Sequence, residues 1–171
     1  DNLPTTLPVM NMTDGVLTPK QSKEQLIRHT LVDLGLHETL TYTLTSEATV
    51  NEFNLFHSLD NTVKLMSPLG EERSAARKSL IGSLLQTIHY NNAHSNKDVN
   101  IFEIANTYSD KEVSNLAIAV SGDYVNVPWM GKKEAVDFYL VKGFVETLFK
   151  KLCIEESRYT FEKVEADNKD F

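Results

Sequence analysis

The chain has 171 residues, of which 41% are apolar and 24% are charged, and its formal net charge is −7. This composition is too apolar for a disordered acidic chain and fits one soluble domain, since domains commonly hold about 100–200 residues. No apolar run is long enough to predict a membrane span. The negative net charge and the presence of only four arginines argue against a domain that binds RNA by itself.

The chain is predicted to begin with a linker over residues 1–17, because two prolines close together favour an extended path. Such a start indicates a piece of a longer protein. A helix follows: Thr18 can act as its N-cap, Pro19 suits its first position and Gln21 completes a capping box. Gly35 stands where a helix favours a left-handed C-terminal cap.

Beyond this helix, the hydrophobic pattern switches several times between the period of a strand and that of a helix. In residues 38–44, Leu40, Tyr42 and Leu44 alternate with threonines, which predicts a half-buried strand. The same reasoning predicts further strands at 63–66, 99–104, 116–120 and 159–164, and helices at 74–91 and 137–152. Strands that follow each other without a helix between them favour an α+β fold with a largely antiparallel sheet.

Few side chains suggest chemistry. His89 and His94 are poorly spaced for a shared metal. Cys153 is predicted to be a buried structural residue. It is the single cysteine and cannot form an internal disulfide, which fits a reducing compartment. Glu103 lies on an otherwise apolar strand and therefore needs a partner, for which a structural salt bridge is favoured over catalysis. Gly143 in mid-helix costs about 1 kcal/mol against alanine, which predicts the close approach of another element.

Several stretches together resemble one family, the beta chain of bacterial phenylalanyl-tRNA synthetase. Their order and spacing match over nearly the whole chain, whereas each alone is weak. They are DNLPTTLP (1–8), LGLHE (34–38), MSPLGEE (66–72), ARKSLIGSLL (76–85), IFEIAN (101–106) and DFYLVKGFVE (137–146). Gly82 and Ser83 stand where the family usually has Pro-Gly, and Ala105 stands where it usually has glycine.

The resemblance implies a fold, a partner and a location. The fold is a class II aminoacyl-tRNA synthetase-like antiparallel sheet flanked by helices over residues 18–171, with a C-terminal sheet edge that we expect to be incomplete. The partner is the catalytic alpha subunit, in a cytoplasmic heterotetramer of two alpha and two beta chains. That holoenzyme uses ATP and Mg²⁺ to charge tRNA(Phe) with phenylalanine, and tRNA(Phe) is contacted mainly through other domains.

The resemblance also implies that this domain is catalytically silent. Class II adenylation uses an arginine on the strand that corresponds here to residues 101–108, and another on a later helix, to stabilise the ATP phosphates. That strand carries Glu103 and Asn106 but no arginine. We therefore predict no catalytic, cofactor-binding or metal-binding residue in this domain. Two alternatives stay open: an active ligase with an atypical site beside Glu103, and a small-molecule regulatory module.

The surface that meets the alpha subunit is predicted on the first helix and the strand after it. Its residues are Leu26, Ile27, Leu31, Leu40 and Tyr42, although any that face inward would instead form the core of the domain. For Arg77, in the ARKSLIGSLL stretch, a structural salt bridge with Glu103 as the candidate partner is favoured over a contact with tRNA.

Overall fold

A computed structural model describes residues 5–7, 9–12, 14–53 and 61–163. Its helices are α1 (Pro19–Asp33), α2 (Glu47–Glu52), α3 (Ile81–Ala93) and α4 (Phe138–Lys151). Its strands are β1 (His37–Glu38), β2 (Leu44–Thr45), β3 (Ala75–Ala76), β4 (Val99–Tyr108), β5 (Glu112–Ser121), β6 (Asp123–Val127) and β7 (Lys132–Ala135). Short 3₁₀ turns lie at Glu71–Arg73, Pro128–Met130 and Glu156–Arg158.

The predicted boundaries of α1 are confirmed. The hydroxyl of Thr18 accepts from the N–H of Gln21, and the side chain of Gln21 accepts from the N–H of Thr18, so the capping box is closed in both directions. Gly35 ends the helix with φ +83°, a conformation that glycine adopts without strain. Asp137 caps α4 in a similar way by accepting from the N–H of Leu140.

The main sheet has the order β1-β4-β5. β4 and β5 form a long antiparallel hairpin, in register from Val99 opposite Ser121 to Tyr108 opposite Glu112. β1 is parallel to β4 over two residues only. Two small antiparallel ribbons, β2-β3 and β6-β7, complete the described sheets.

Helices cover both faces of the main sheet. On one face, Leu31 of α1 and Phe144 of α4 pack with Leu36 and Phe102. On the other face, Leu84 of α3 packs with Val99 and Ile101. The α+β prediction is confirmed, with a short parallel pair added to an otherwise antiparallel arrangement.

Four predicted elements differ from the structure. The strand at 63–66 is reduced to an isolated antiparallel bridge between Lys64 and Ala75. The strand at 38–44 is two separate short strands with an irregular segment between them, and the helix at 74–91 begins only at Ile81, because Ala75–Ala76 pairs with β2. Residues 159–163, where a last strand was predicted, are not in a strand, and Val164 lies outside the described residues. The β6-β7 hairpin was not predicted, since the run Lys132–Ala135 is charged and exposed.

Two packing predictions are wrong. A Cβ added at Gly143 would meet nothing within 4 Å, whereas one at Gly82 would lie 2.8 Å from a methyl carbon of Thr49 and 2.9 Å from the ring of Phe53. The close approach between helices is therefore at Gly82, where α3 begins against α2. Cys153, predicted to be buried, is exposed. No helix of the described residues is long and apolar enough to cross a membrane.

Candidate docking surface and its buried ion pair

A buried ion pair lies at the centre of β4. A guanidinium nitrogen of Arg77, Nη1, is 2.9 Å from Oε1 of Glu103, and the two side chains are 4% and 1% exposed. The other side of the guanidinium is also occupied, because Nε donates to the carbonyl of Asn106. The predicted salt bridge between Arg77 and Glu103 is confirmed.

The irregular segment between β1 and β2, residues 39–43, is attached to this pair and to β4 by its polar groups. Both the N–H and the hydroxyl of Thr39 donate to the carbonyl of Phe102. Thr41 gives both its N–H (3.2 Å) and its hydroxyl (2.7 Å) to the carboxylate of Glu103. The carbonyl of Thr43 accepts from the N–H of Arg77.

The apolar residues of the same segment face outward. Leu40 is 87% exposed and Tyr42 is 68% exposed. At residues 39–42 the alternation is therefore present with the opposite sense: Thr39 and Thr41 bond inward, and the two large apolar side chains lie on the surface. The pattern ends there, since Thr43 is exposed and Leu44 is half-buried. The reason for the inward bonding at Thr41 is the buried carboxylate of Glu103, since a charged group removed from water needs polar partners and Thr41 supplies two hydrogen bonds. Thr39 instead satisfies the carbonyl of Phe102.

Leu40 and Tyr42 share one concave surface. They line an open cavity of about 420 Å³ together with Arg73, whose guanidinium carbon lies 3.7 Å from the centre of the Tyr42 ring. This distance fits a cation–π contact, which holds the exposed ring in place. The remaining lining residues are Thr41, Leu44, Thr45, Ser46, Thr49, Glu72, Ser83 and Gln86.

The other residues predicted for the interface lie at different depths. Leu26 is 39% exposed on α1, whereas Ile27 packs against the core around Leu31. Leu31 itself is 0% exposed. It is a core residue and offers no surface to a partner, so the surface part of the predicted set is Leu26, Leu40 and Tyr42.

The residues on and around β4 do not fit a bound ATP of the class II kind. The strand has no arginine, and the nearest one, Arg77, is buried and paired with Glu103. Arg28 pairs with Glu38 at 2.7 Å, and Arg73 stacks on Tyr42. Within 14–53, 61–163 and the short described stretches before them, no three His, Cys, Asp or Glu side chains are arranged to hold a metal ion.

Thr41 and Arg73 were not singled out from the sequence. The sequence contains a signal for Thr41, because a polar residue between Leu40 and Tyr42 faces opposite to them in an extended segment. The carboxylate of Glu103, on an apolar strand, needs such a polar partner. For Arg73 there is no such signal, since nothing in the sequence relates residue 73 to Tyr42.

Solved structures define the class of fold. The chain is similar to a pyrrolysyl-tRNA synthetase from Desulfitobacterium hafniense, with a TM-score of 0.59 and 16% identity over 81% of this chain and 46% of that one. It is also similar to a histidine–tRNA ligase subunit from Alicyclobacillus acidocaldarius, with a TM-score of 0.54 and 12% identity over 84% of this chain and 44% of that one. The fold is thus that of a class II aminoacyl-tRNA synthetase core.

The sequence narrows this class to one family. Residues 3–171 match the phenylalanyl tRNA synthetase beta chain CLM domain, and the chain belongs to that family. It is 38% identical over 165 residues to a phenylalanine–tRNA ligase beta subunit from Staphylococcus aureus, and 37% identical over 163 residues to one from Staphylococcus epidermidis. These alignments cover 92% and 91% of this chain, but the chain spans only 20% of the length of either relative.

Proposed function

We propose that this chain is the non-catalytic, class II-like core of a phenylalanine–tRNA ligase beta subunit, and that it docks the catalytic alpha subunit. Residues 18–171 form this core and residues 1–17 link it to a preceding domain. The observation that carries the proposal is the outward position of Leu40 and Tyr42 on a segment whose threonines bond inward. Exposed apolar side chains on a segment held in place from behind are typical of a surface that a partner covers.

In this proposal, the alpha subunit performs the chemistry and the assembly contains two alpha and two beta chains in the cytoplasm. ATP and Mg²⁺ act at the alpha subunit, and tRNA(Phe) is contacted mainly through other domains. The state of Glu103 supports this division of labour. Because it is 1% exposed and paired with Arg77, it offers no surface to a substrate, which disfavours an atypical active site built around it.

The docking surface is tested in the full-length beta chain, co-expressed with its alpha subunit. Tyr42→Asp and Leu40→Asp each place a charge in the surface and are expected to abolish co-purification of the alpha subunit. Tyr139→Asp on α4 is a matched control, because this tyrosine is also exposed, at 75% against 68% for Tyr42. If the control loses the alpha subunit and the two test variants retain it, the proposed surface is wrong.

The absence of catalysis is tested separately. The full-length beta chain without its alpha subunit is expected to give no ATP–pyrophosphate exchange in the presence of phenylalanine and Mg²⁺. Detectable exchange would contradict a non-catalytic core. A shift in melting temperature with phenylalanine or ATP, without exchange, would instead favour the regulatory alternative.

A further inference from the structure

Three groups from distant parts of the sequence form a closed set of hydrogen bonds behind the docking segment. Nη1 of Arg77 donates to the hydroxyl of Thr41 at 2.7 Å and to Glu103 at 2.9 Å. The hydroxyl of Thr41 donates in turn to the second oxygen of Glu103 at 2.7 Å. Each of the three side chains thus contacts the other two.

This arrangement is not explained by stability alone. Removing two charges from water costs several kcal/mol, and a buried pair is often no better than apolar residues of the same volume. What a buried pair supplies that apolar packing does not is direction, since its hydrogen bonds are satisfied only in one geometry. Here the pair fixes the orientation of Thr41, which is bonded to both charged groups and lies between Leu40 and Tyr42.

We infer that Thr41, Glu103 and Arg77 are positioning residues for alpha-subunit docking. They hold the backbone of residue 41 against β4, so that the side chains before and after it face away from the domain. The inference rests on the proposed function, because it concerns how the same surface is presented. Arg77 and Glu103 are buried, whereas Thr41 also lines the cavity. In this inference, all three have an indirect role through Leu40 and Tyr42.

Thr41→Val is the most conservative test, because it removes the hydroxyl, keeps the volume and leaves the N–H bond to Glu103. Thr41→Ser restores the hydroxyl. The matched control is Thr107→Val: Thr107, on β4 with Glu103, is 3% exposed, and its hydroxyl accepts from the side-chain amide of Asn115 on β5 at 2.6 Å. Both valine variants lose one hydrogen-bonded hydroxyl, from a half-buried side chain at Thr41 and a buried one at Thr107, but only Thr41 is on the docking segment.

The measurement is the dissociation constant of the assembled full-length complex, by sedimentation velocity over a dilution series, with thermal unfolding recorded for each beta chain. Thr41→Val is expected to weaken docking about tenfold, since residues in one network commonly couple by about 1.4 kcal/mol. Thr41→Ser is expected to restore docking, and Thr107→Val to leave it unchanged at a similar loss of melting temperature. Equal weakening by Thr107→Val would show a general stability effect and overturn the inference.

A second arm separates positioning from direct contact. In a Leu40→Ala/Tyr42→Ala background, Thr41→Val is expected to change the dissociation constant less than about twofold, because the side chains it positions are gone. The same tenfold loss in both backgrounds would overturn the inference while leaving the docking surface in place. If the Leu40→Ala/Tyr42→Ala variant docks as tightly as the unmodified chain, the proposed surface itself is refuted.

Discussion

One face of β4 has two chemically opposite halves, one apolar and one polar. Val99 and Ile101, in the first half, pack under Leu84 of α3, whereas Glu103 and Thr107, in the second half, are paired with polar groups. Burial does not distinguish the halves: the first pair is 4% and 5% exposed, and the second pair 1% and 3%. The halves differ in the kind of interaction that stabilises them.

The apolar half gains free energy roughly in proportion to the area removed from water, about 25 cal/mol per Å², and it tolerates changes of shape. The polar half depends on the distances and angles of particular hydrogen bonds. The first half therefore holds α3 on the sheet, while the second fixes where the segment at 39–43 lies.

The largest effect is expected from breaking the polar half. Glu103→Leu leaves the charge of Arg77 buried without its partner and is expected to lower the free energy of unfolding by about 3–5 kcal/mol. The double variant Glu103→Leu/Arg77→Met removes both charges and is expected to be more stable than Glu103→Leu alone. Urea unfolding of the three chains measures both differences. A single-variant loss under about 1 kcal/mol would remove the distinction between the halves.

In the apolar half, Leu84→Ala is expected to cost about 3 kcal/mol, because it leaves a cavity under β4. Leu84→Met keeps the volume and is expected to cost less than about 1.5 kcal/mol. The same urea titrations provide the comparison. Equal losses for the two variants would mean that the apolar half is as demanding in geometry as the polar one.

Two helical glycines, Gly82 at the contact between α3 and α2 and Gly143 in α4, are expected to respond to alanine in opposite ways. Gly82→Ala introduces a Cβ against Thr49 and Phe53 and is expected to lower stability by about 1 kcal/mol. Gly143→Ala meets open space and is expected to raise stability by about 0.5–1 kcal/mol, since glycine in a helix interior is unfavourable. Thermal unfolding of the two chains should therefore shift in opposite directions. A loss of stability in Gly143→Ala would mean that its position is packed after all.

The smallest effect concerns Asp98, just before the apolar half. The N–H of Asp123, the side-chain amide of Asn126 and the charge of Lys133 lower the pKa of this carboxyl from its usual 3.8. Because the folded pKa is the lower one, the stabilisation is complete above pH 3.8 and is lost as the pH falls through the folded value. The protection of the Asp123 amide against hydrogen exchange, relative to its intrinsic rate at each pH, should fall in that range.

Asp98→Asn is the control for this acid response. Its amide does not ionise there, so the protection of the Asp123 amide should no longer change with pH in this range. An unchanged acid response in Asp98→Asn would assign the effect to another carboxylate.

Local signals predicted the ends of the helices well. Thr18, Gln21 and Gly35 act through bonds and dihedral angles within a few residues, and the structure has them as expected. The partner of Glu103 was also predictable in kind, because a lone carboxylate on an apolar strand must be paired. These features can be predicted without knowing which residues far away in the sequence lie nearby in the fold.

The direction of the docking segment was not predictable in this way. Alternation at 39–43 separates two sets of side chains but does not say which set faces inward, and the usual rule places the apolar set there. At Leu40 and Tyr42 the rule fails because Glu103, 62 residues from Thr41, needs the hydrogen bonds of Thr41. Gly82 was missed for a related reason, since its neighbours Thr49 and Phe53 lie within and at the end of a different helix, α2.

The closed set of Thr41, Arg77 and Glu103 has a consequence for the order of folding. Its bonds join residues 36, 26 and 62 positions apart, whereas the β4-β5 hairpin turns between Tyr108 and Glu112. Loop closure disfavours the long connections, and neither charge gains from losing water before the other arrives. We therefore expect the hairpin to form early and the docking segment to take its place late, so that variants at Thr41 accelerate unfolding and leave the folding rate nearly unchanged.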